Sequence, residues 1–118
     1  FVHRLLPDGV RTEGHRFRWI EVVERRIGRL WSGPLPESSG DYYLFEIDID
    51  EDERGQSLGR EAIKVMIGEL ERENVGRFGL SVFDSNTAAV TLYESLGFET
   101  RRDVDGQREM WLNLRQPR

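Results

Sequence analysis

The chain contains no cysteine, which excludes disulfides, thiolate metal sites and a cysteine nucleophile. It has two histidines, His3 and His15, and no HExxH spacing. A metal site would have to be built from carboxylates, and no loop motif of that kind is present, so no metal is expected. Lysine is nearly absent: Lys64 stands alone and the other basic residues are arginines. The net charge is −5, which argues against nucleic acid as a partner. No apolar run is long enough to span a membrane, so no membrane partner is expected. Nothing near the start has the pattern of a signal peptide, and a cytoplasmic location is expected. The chain begins at Phe1, as a fragment or a processed product would.

What is present is a soluble balance of 37% hydrophobic and 33% charged residues. A length of 118 residues suits one domain, expected to span residues 1–118. Residues 1–6 read as the tail of a helix, followed by a Pro7-Asp8-Gly9 turn. Residues 17–23 and 27–32 read as strands of a hairpin turning at 24–26. Residues 33–40, rich in Gly, Pro and Ser, read as a loop. Residues 42–50 alternate through Phe45, Ile47 and Ile49, the period of a half-buried strand. The period then changes: Leu58, Ala62, Ile63, Met66, Ile67 and Leu70 follow helical spacing to about Asn74. Phe78, Leu80 and Val82 predict a strand, Asn86 a helix cap, and residues 89–96 a second helix with Gly97 just past its end. Residues 99–102 and 109–114 close the order as a hairpin around Asp105-Gly106. This order predicts an α+β fold with a mixed, largely antiparallel sheet flanked by helices.

The segment between the third strand and the first full helix carries the most chemistry. Arg54-Gly55-Gln56-Ser57-Leu58-Gly59 follows an acidic strand end and opens into a helix. Small residues at Gly55, Ser57 and Gly59 let a ligand approach the backbone. About four N–H groups in the first helical turn lack intrahelical acceptors, and with the helix dipole they suit a phosphate. Arg54 can add a charge-assisted hydrogen bond. In the alternative, Ser57 caps the helix and the glycines shape a turn. Neither GxxxxGK[ST] nor a full GxGxxG is present.

That hexapeptide is similar to the pyrophosphate loop, [RQ]-x-x-G-x-[GA], of the GNAT N-acetyltransferases, with Ser57 where glycine is usual. Downstream, Asn86-Thr87-Ala88-Ala89-Val90-Thr91-Leu92-Tyr93-Glu94-Ser95-Leu96-Gly97-Phe98 resembles the N-x-x-A-x-x-L-Y-x-x-x-G-F signature of the same family. The resemblance implies a GNAT-like fold in which acetyl-CoA lies between two splayed parallel strands, here ending near Ile49 and Val82. It implies that the pantetheine arm pairs with backbone around Ile47 and Ile49, and that the pyrophosphate sits on the amides of Gly55 to Gly59. Asn86 is either a cap or a contact to the cofactor arm. An amine would attack the thioester directly. Tyr93 occupies the position that often protonates the leaving thiolate, or else packs as an ordinary helix aromatic.

Glu46 and Asp48 flank Ile47; either is a candidate general base or part of a solvated strand face, and Glu46 lies deeper in the strand. Tyr42 and Tyr43 are further candidates for the acceptor pocket, and His15 is either a turn residue or a ligand contact. A GNAT fold opens with a strand and two helices, and this chain is expected to lack the first strand and first helices. An uncovered sheet edge predicts a homodimer. The function the resemblance implies is transfer of an acetyl group from acetyl-CoA to a primary amine of a small molecule or protein N-terminus. A non-catalytic CoA-binding or interaction domain is the alternative.

Overall fold

The computed structural model of the chain describes residues 4–7, 14–22, 25–35, 40–55 and 57–115. Seven strands form one sheet: β1 (Arg4–Pro7), β2 (Arg16–Val22), β3 (Arg25–Pro34), β4 (Asp41–Ile49), β5 (Arg77–Phe83), β6 (Glu99–Val104) and β7 (Gln107–Asn113). Helix α1 (Leu58–Arg72) joins β4 to β5, and α2 (Thr87–Ser95) joins β5 to β6. The strand order is β1-β2-β3-β4-β5-β7-β6. β4 and β5 pair in parallel; every other pairing is antiparallel. The expected mixed, largely antiparallel α+β architecture is the observed one. No helix precedes β4 among the described residues, and none there is long and apolar enough to cross a membrane.

The start of the chain differs from expectation. Residues 4–7 do not end a helix; they form an edge strand, with Leu5 opposite Ile20 and Leu6 opposite Trp19. The edge of β2 offers unpaired backbone groups, and residues 4–7 satisfy theirs by pairing with it. Of the turn expected at 7–9, Pro7 instead ends β1, and of the turn expected at 24–26, Arg25 and Arg26 instead open β3, drawn into the ladder by pairing with Val22 and Glu21; residues 8–9 and 24, and the loop centre at 36–39, lie outside the described residues. Gly33 and Pro34, expected in that loop, extend β3 instead.

Period-2 alternation divides the sheet into two faces. Ile20, Leu30, Leu44, Phe78, Leu80, Met110 and Leu112 share the face on which both helices pack. Helix α1 buries Leu58, Ala62, Ile63, Met66, Ile67 and Leu70, the residues its helical spacing predicts. Burying each of the larger side chains is worth about 1.5–3 kcal/mol. Its outer turns are tied to β2 where Arg18 donates to both Glu69 carboxylate oxygens, at 2.6 and 2.8 Å. Helix α2 is capped by Asn86, whose Oδ1 accepts from the Ala89 amide at 3.2 Å. It stops at Gly97, where φ is +101°. Asp105 and Gly106, both with positive φ, form the tight turn between β6 and β7.

Phe45 breaks the alternation. Trp31 pairs with Glu46 and the next residue, Ser32, with Leu44, so Phe45 is an extra residue in β4. This bulge puts Phe45 and Glu46 on the face away from the helices, while Ile47 and Ile49 pack against the core. The expected common face for Phe45, Ile47 and Ile49 is therefore broken in two.

Candidate active site

The bulge also parts β4 from β5. Their ladder runs from Asp41 opposite Arg77 to Leu44 opposite Leu80 and stops there. β4 continues to Ile49 and β5 to Phe83 without pairing to each other. Backbone groups of β4 beyond Leu44 thus face a gap, where an extended ligand can take the place of a strand. A cavity of about 270 Å³ fills the gap, lined by Phe45, Glu46 and Ile47 on one side and by Val82, Asn86 and Tyr93 on the other. At its apex the Tyr43 hydroxyl and Ser81 Oγ meet at 2.5 Å, bridging the two strands on the face away from the helices.

A second cavity, of about 560 Å³, lies beside the first and shares Ala89 with it. Its walls include Ile49, Arg54, Gly55, Ser57, Leu58 and Gly59 from the loop, and Thr91 and Ser95 from α2. Gly55 has φ of +82°, and a Cβ at Gly59 would meet nothing within 4 Å. The loop is thus a small-residue cradle at the start of α1, with room for an anion over the first-turn amides. Leu58 also buries its side chain in the core, so only its backbone is free to serve a ligand. Gln56 lies outside the described residues. Ser57 does not cap the helix through its side chain; it sits at φ 61°, ψ 20° and makes no such bond. Arg54 folds back, its Nε donating to the Ile49 carbonyl at 2.9 Å and Nη2 approaching Asp48 at 3.4 Å. The Ile49 carbonyl is therefore engaged, and Ile47 offers the freer backbone.

Tyr93 reaches the first cavity from α2. Its ring is buried against Phe98 at 5.7 Å, and no described residue hydrogen-bonds its hydroxyl. Burial raises its pKa above the ordinary phenol value, so the proton is held through neutral pH. Glu46 is exposed and lines the same cavity. The two tyrosines of β4 separate. Tyr42 lies in the core with its hydroxyl 3.1 Å from Ser32 Oγ, and so does not line an acceptor pocket. Tyr43 points to the other face. Its pKa is raised by burial, a shift that the Ser81 hydrogen bond opposes.

That other face carries an aromatic layer that the sequence alone did not bring together. Trp31 stacks on Phe17 at 5.4 Å and on Phe45 at 4.7 Å. The Trp31 indole N–H donates to His15 Nδ1 at 2.8 Å, and His15 stacks on Phe45 at 5.2 Å. His15, at the turn that leads into β2, is also a packing partner of Trp31. These rings come from three strands and a turn, so no local spacing announces them. Among the described residues no group of three or more His, Asp or Glu side chains is arranged to hold a metal ion.

The splayed strands and small-residue loop fit what comparison with known proteins finds. The [Ribosomal protein bS18]-alanine N-acetyltransferase of Escherichia coli K12 is 49% identical over 55 residues, 47% of this chain and 37% of that protein. The crystal structure of the Escherichia coli ribosomal-protein-S18-alanine N-acetyltransferase superposes with a TM-score of 0.78 at 27% identity, covering 92% of this chain and 74% of that one. The mycothiol acetyltransferase of Thermobispora bispora is 37% identical over 89 residues, 75% of this chain and 27% of that protein. The fold also matches the paiA N-acetyltransferase of Thermoplasma acidophilum, solved in complex with coenzyme A, with a TM-score of 0.74 at 12% identity over 85% of this chain and 61% of that one. The chain thus spans only about a quarter to two fifths of the curated relatives' length. The model of the acetyltransferase (GNAT) family matches residues 3–98, across both the splayed strands and the loop, and the chain belongs to that family.

Proposed function

We propose that the chain binds acetyl-CoA and transfers its acetyl group directly to a primary amine of a small molecule or a protein N-terminus. The observation that carries this reading is the loss of β4–β5 pairing beyond Leu44 and Leu80, beside a loop with open space at Gly59. In this reading the pyrophosphate rests on amides of residues 55–59, and the pantetheine arm runs along β4 at Ile47 and Ile49. Asn86 keeps its capping bond and borders the thioester end. Glu46 removes a proton from the acceptor ammonium, directly or through water. The freed nitrogen lone pair attacks the thioester carbonyl carbon, forming the N–C bond. Collapse of the tetrahedral intermediate breaks the C–S bond, Tyr93 gives its proton to the departing thiolate, and the second proton that the nitrogen sheds on becoming an amide returns through water to the Tyr93 phenolate. The Tyr93 phenol is protonated at neutral pH, the form a proton donor needs, and burial, which raises its pKa, keeps it so.

Release of free CoA from acetyl-CoA, followed with a panel of amines, tests the reading. Amine-dependent release supports it. Binding of CoA without turnover of any amine would favour a CoA-binding or interaction domain instead.

We also propose a two-fold homodimer. Among the described residues the sheet runs from β1 to β6, and every residue of β6 is exposed, so that edge is open to a second copy. Light scattering over a dilution series checks this, and a monomer at all concentrations would contradict it.

A further inference from the structure

Beside the cofactor cleft, on the face away from the helices, lies a pocket of about 210 Å³ lined by Phe17, Arg29, Leu30, Trp31 and Glu46. Glu46 borders both this pocket and the cleft, so the two spaces adjoin at its carboxylate. The floor is apolar, and the Trp31 ring is fixed by stacking on Phe17 and by its bond to His15. Two opposite charges stand on the rim. Neither Glu46 nor Arg29 forms an ion pair with a described residue. Asp48 lies opposite Arg29 in the ladder, yet the carboxylate of Asp48 leans towards Arg54. Glu46 pairs with Trp31, two residues along β3 from Arg29, which makes Glu46 and Arg29 diagonal neighbours. Such neighbours are about 7–8 Å apart at their Cα atoms, close enough for one small molecule to reach both side chains.

We propose that this pocket holds the acceptor and selects an α-amino acid with an apolar side chain. This rests on the acetyl-transfer reading above and narrows its substrate class. The carboxylate of Glu46, beside the cleft, takes the ammonium group that is to be acetylated. The guanidinium of Arg29, farther from the cleft, takes the α-carboxylate, as its fork of N–H donors suits. The side chain lies on Trp31 and Phe17. An amine without the carboxylate leaves Arg29 unmatched, and a peptide N-terminus carries an amide where the carboxylate should be.

The test is titration of L-leucine and L-leucinamide into the CoA-saturated protein, wild type and Arg29→Gln, read by calorimetry, alongside acetylation rates for both compounds. Saturable binding of leucine, weaker for leucinamide by about 10- to 100-fold, is expected. Arg29→Gln should erase most of that difference by weakening leucine alone, raising its KM while leaving kcat nearly unchanged. Equal binding of the two compounds, no binding of leucine, or an equal effect of Arg29→Gln on both would overturn the proposal. Because binding is read without turnover, an inactive protein that still discriminates leucine keeps the pocket assignment and removes only the acetyl-transfer reading. A protein that acetylates leucinamide as well as leucine does the reverse. Far-ultraviolet circular dichroism of Arg29→Gln, whose side chain is exposed, is expected to match wild type.

Discussion

Leu44 and Leu80 are the last paired residues of the parallel β4–β5 ladder, and the cleft begins where their pairing ends. The cause is one residue away: Phe45 is the extra residue of a bulge against β3, and it turns β4 aside.

Tyr93→Phe isolates the hydroxyl from the ring. The hydroxyl is bonded to no described residue, and the ring packs on Phe98, so the fold should persist. Acetyl transfer should slow by about 10²- to 10⁴-fold, with CoA affinity little changed. Stopped-flow or steady-state CoA release measures this, and a loss of less than a fewfold makes Tyr93 a packing residue only.

All three tyrosines, Tyr42, Tyr43 and Tyr93, have pKa values raised above 10 by burial. In the unfolded chain they ionise near pH 10, below their folded values. Between those values the unfolded state has lost protons that the folded state retains. Their contribution to stability is therefore full below pH 10 and is lost as pH rises through the folded values. Denaturant midpoints should fall above pH 10, and phenolate absorbance should appear later than for free tyrosine. Ionisation of a tyrosine at or below pH 10 in the folded protein would contradict the burial argument.

Ser57 holds a left-handed backbone, φ 61°, with no side-chain bond in return. A non-glycine residue there costs about 1–2 kcal/mol, part of which glycine gives back through a freer unfolded chain. Ser57→Gly should raise stability by up to about 1 kcal/mol in urea unfolding; destabilisation would mean that the hydroxyl has a partner.

Gly79 lies under the Trp111 indole, and a Cβ there would come within 2.6 Å of the ring. The Arg77 guanidinium also lies over that ring, 4.7 Å from its centroid. Gly79→Ala should therefore destabilise by about 1–3 kcal/mol. An unchanged denaturant midpoint would show that Trp111 shifts freely.

Much of this was legible in the sequence because local chemistry and tertiary packing agree. The shift from period-2 spacing to the Leu58-to-Leu70 helical pattern marked α1, Asn86 and Gly97 bracketed α2, and Asp105-Gly106 marked the last turn. The loop from Arg54 to Gly59 was legible as a small-residue helix entrance. What stayed hidden depends on partners distant in sequence. The apolar residues near Leu5 and Leu6 suit a helix end or a strand equally, and pairing with β2 decides. An extra residue at Phe45 is invisible until β3 supplies the register. Tyr42 and Tyr43 look alike in sequence, and only the sheet sends one to the core and the other to Ser81.

Calorimetric titration of CoA into wild type and Gly59→Glu tests the central claim most directly. Nothing lies within 4 Å of a Cβ at Gly59, and glutamate favours a helix more than glycine does, so the variant should fold as wild type does. Saturable binding to wild type is expected, with about 2.7 kcal/mol of added stability at 100 times the Kd, and no binding to a folded Gly59→Glu. Equal binding to both proteins, or none to wild type at millimolar CoA, would contradict that claim.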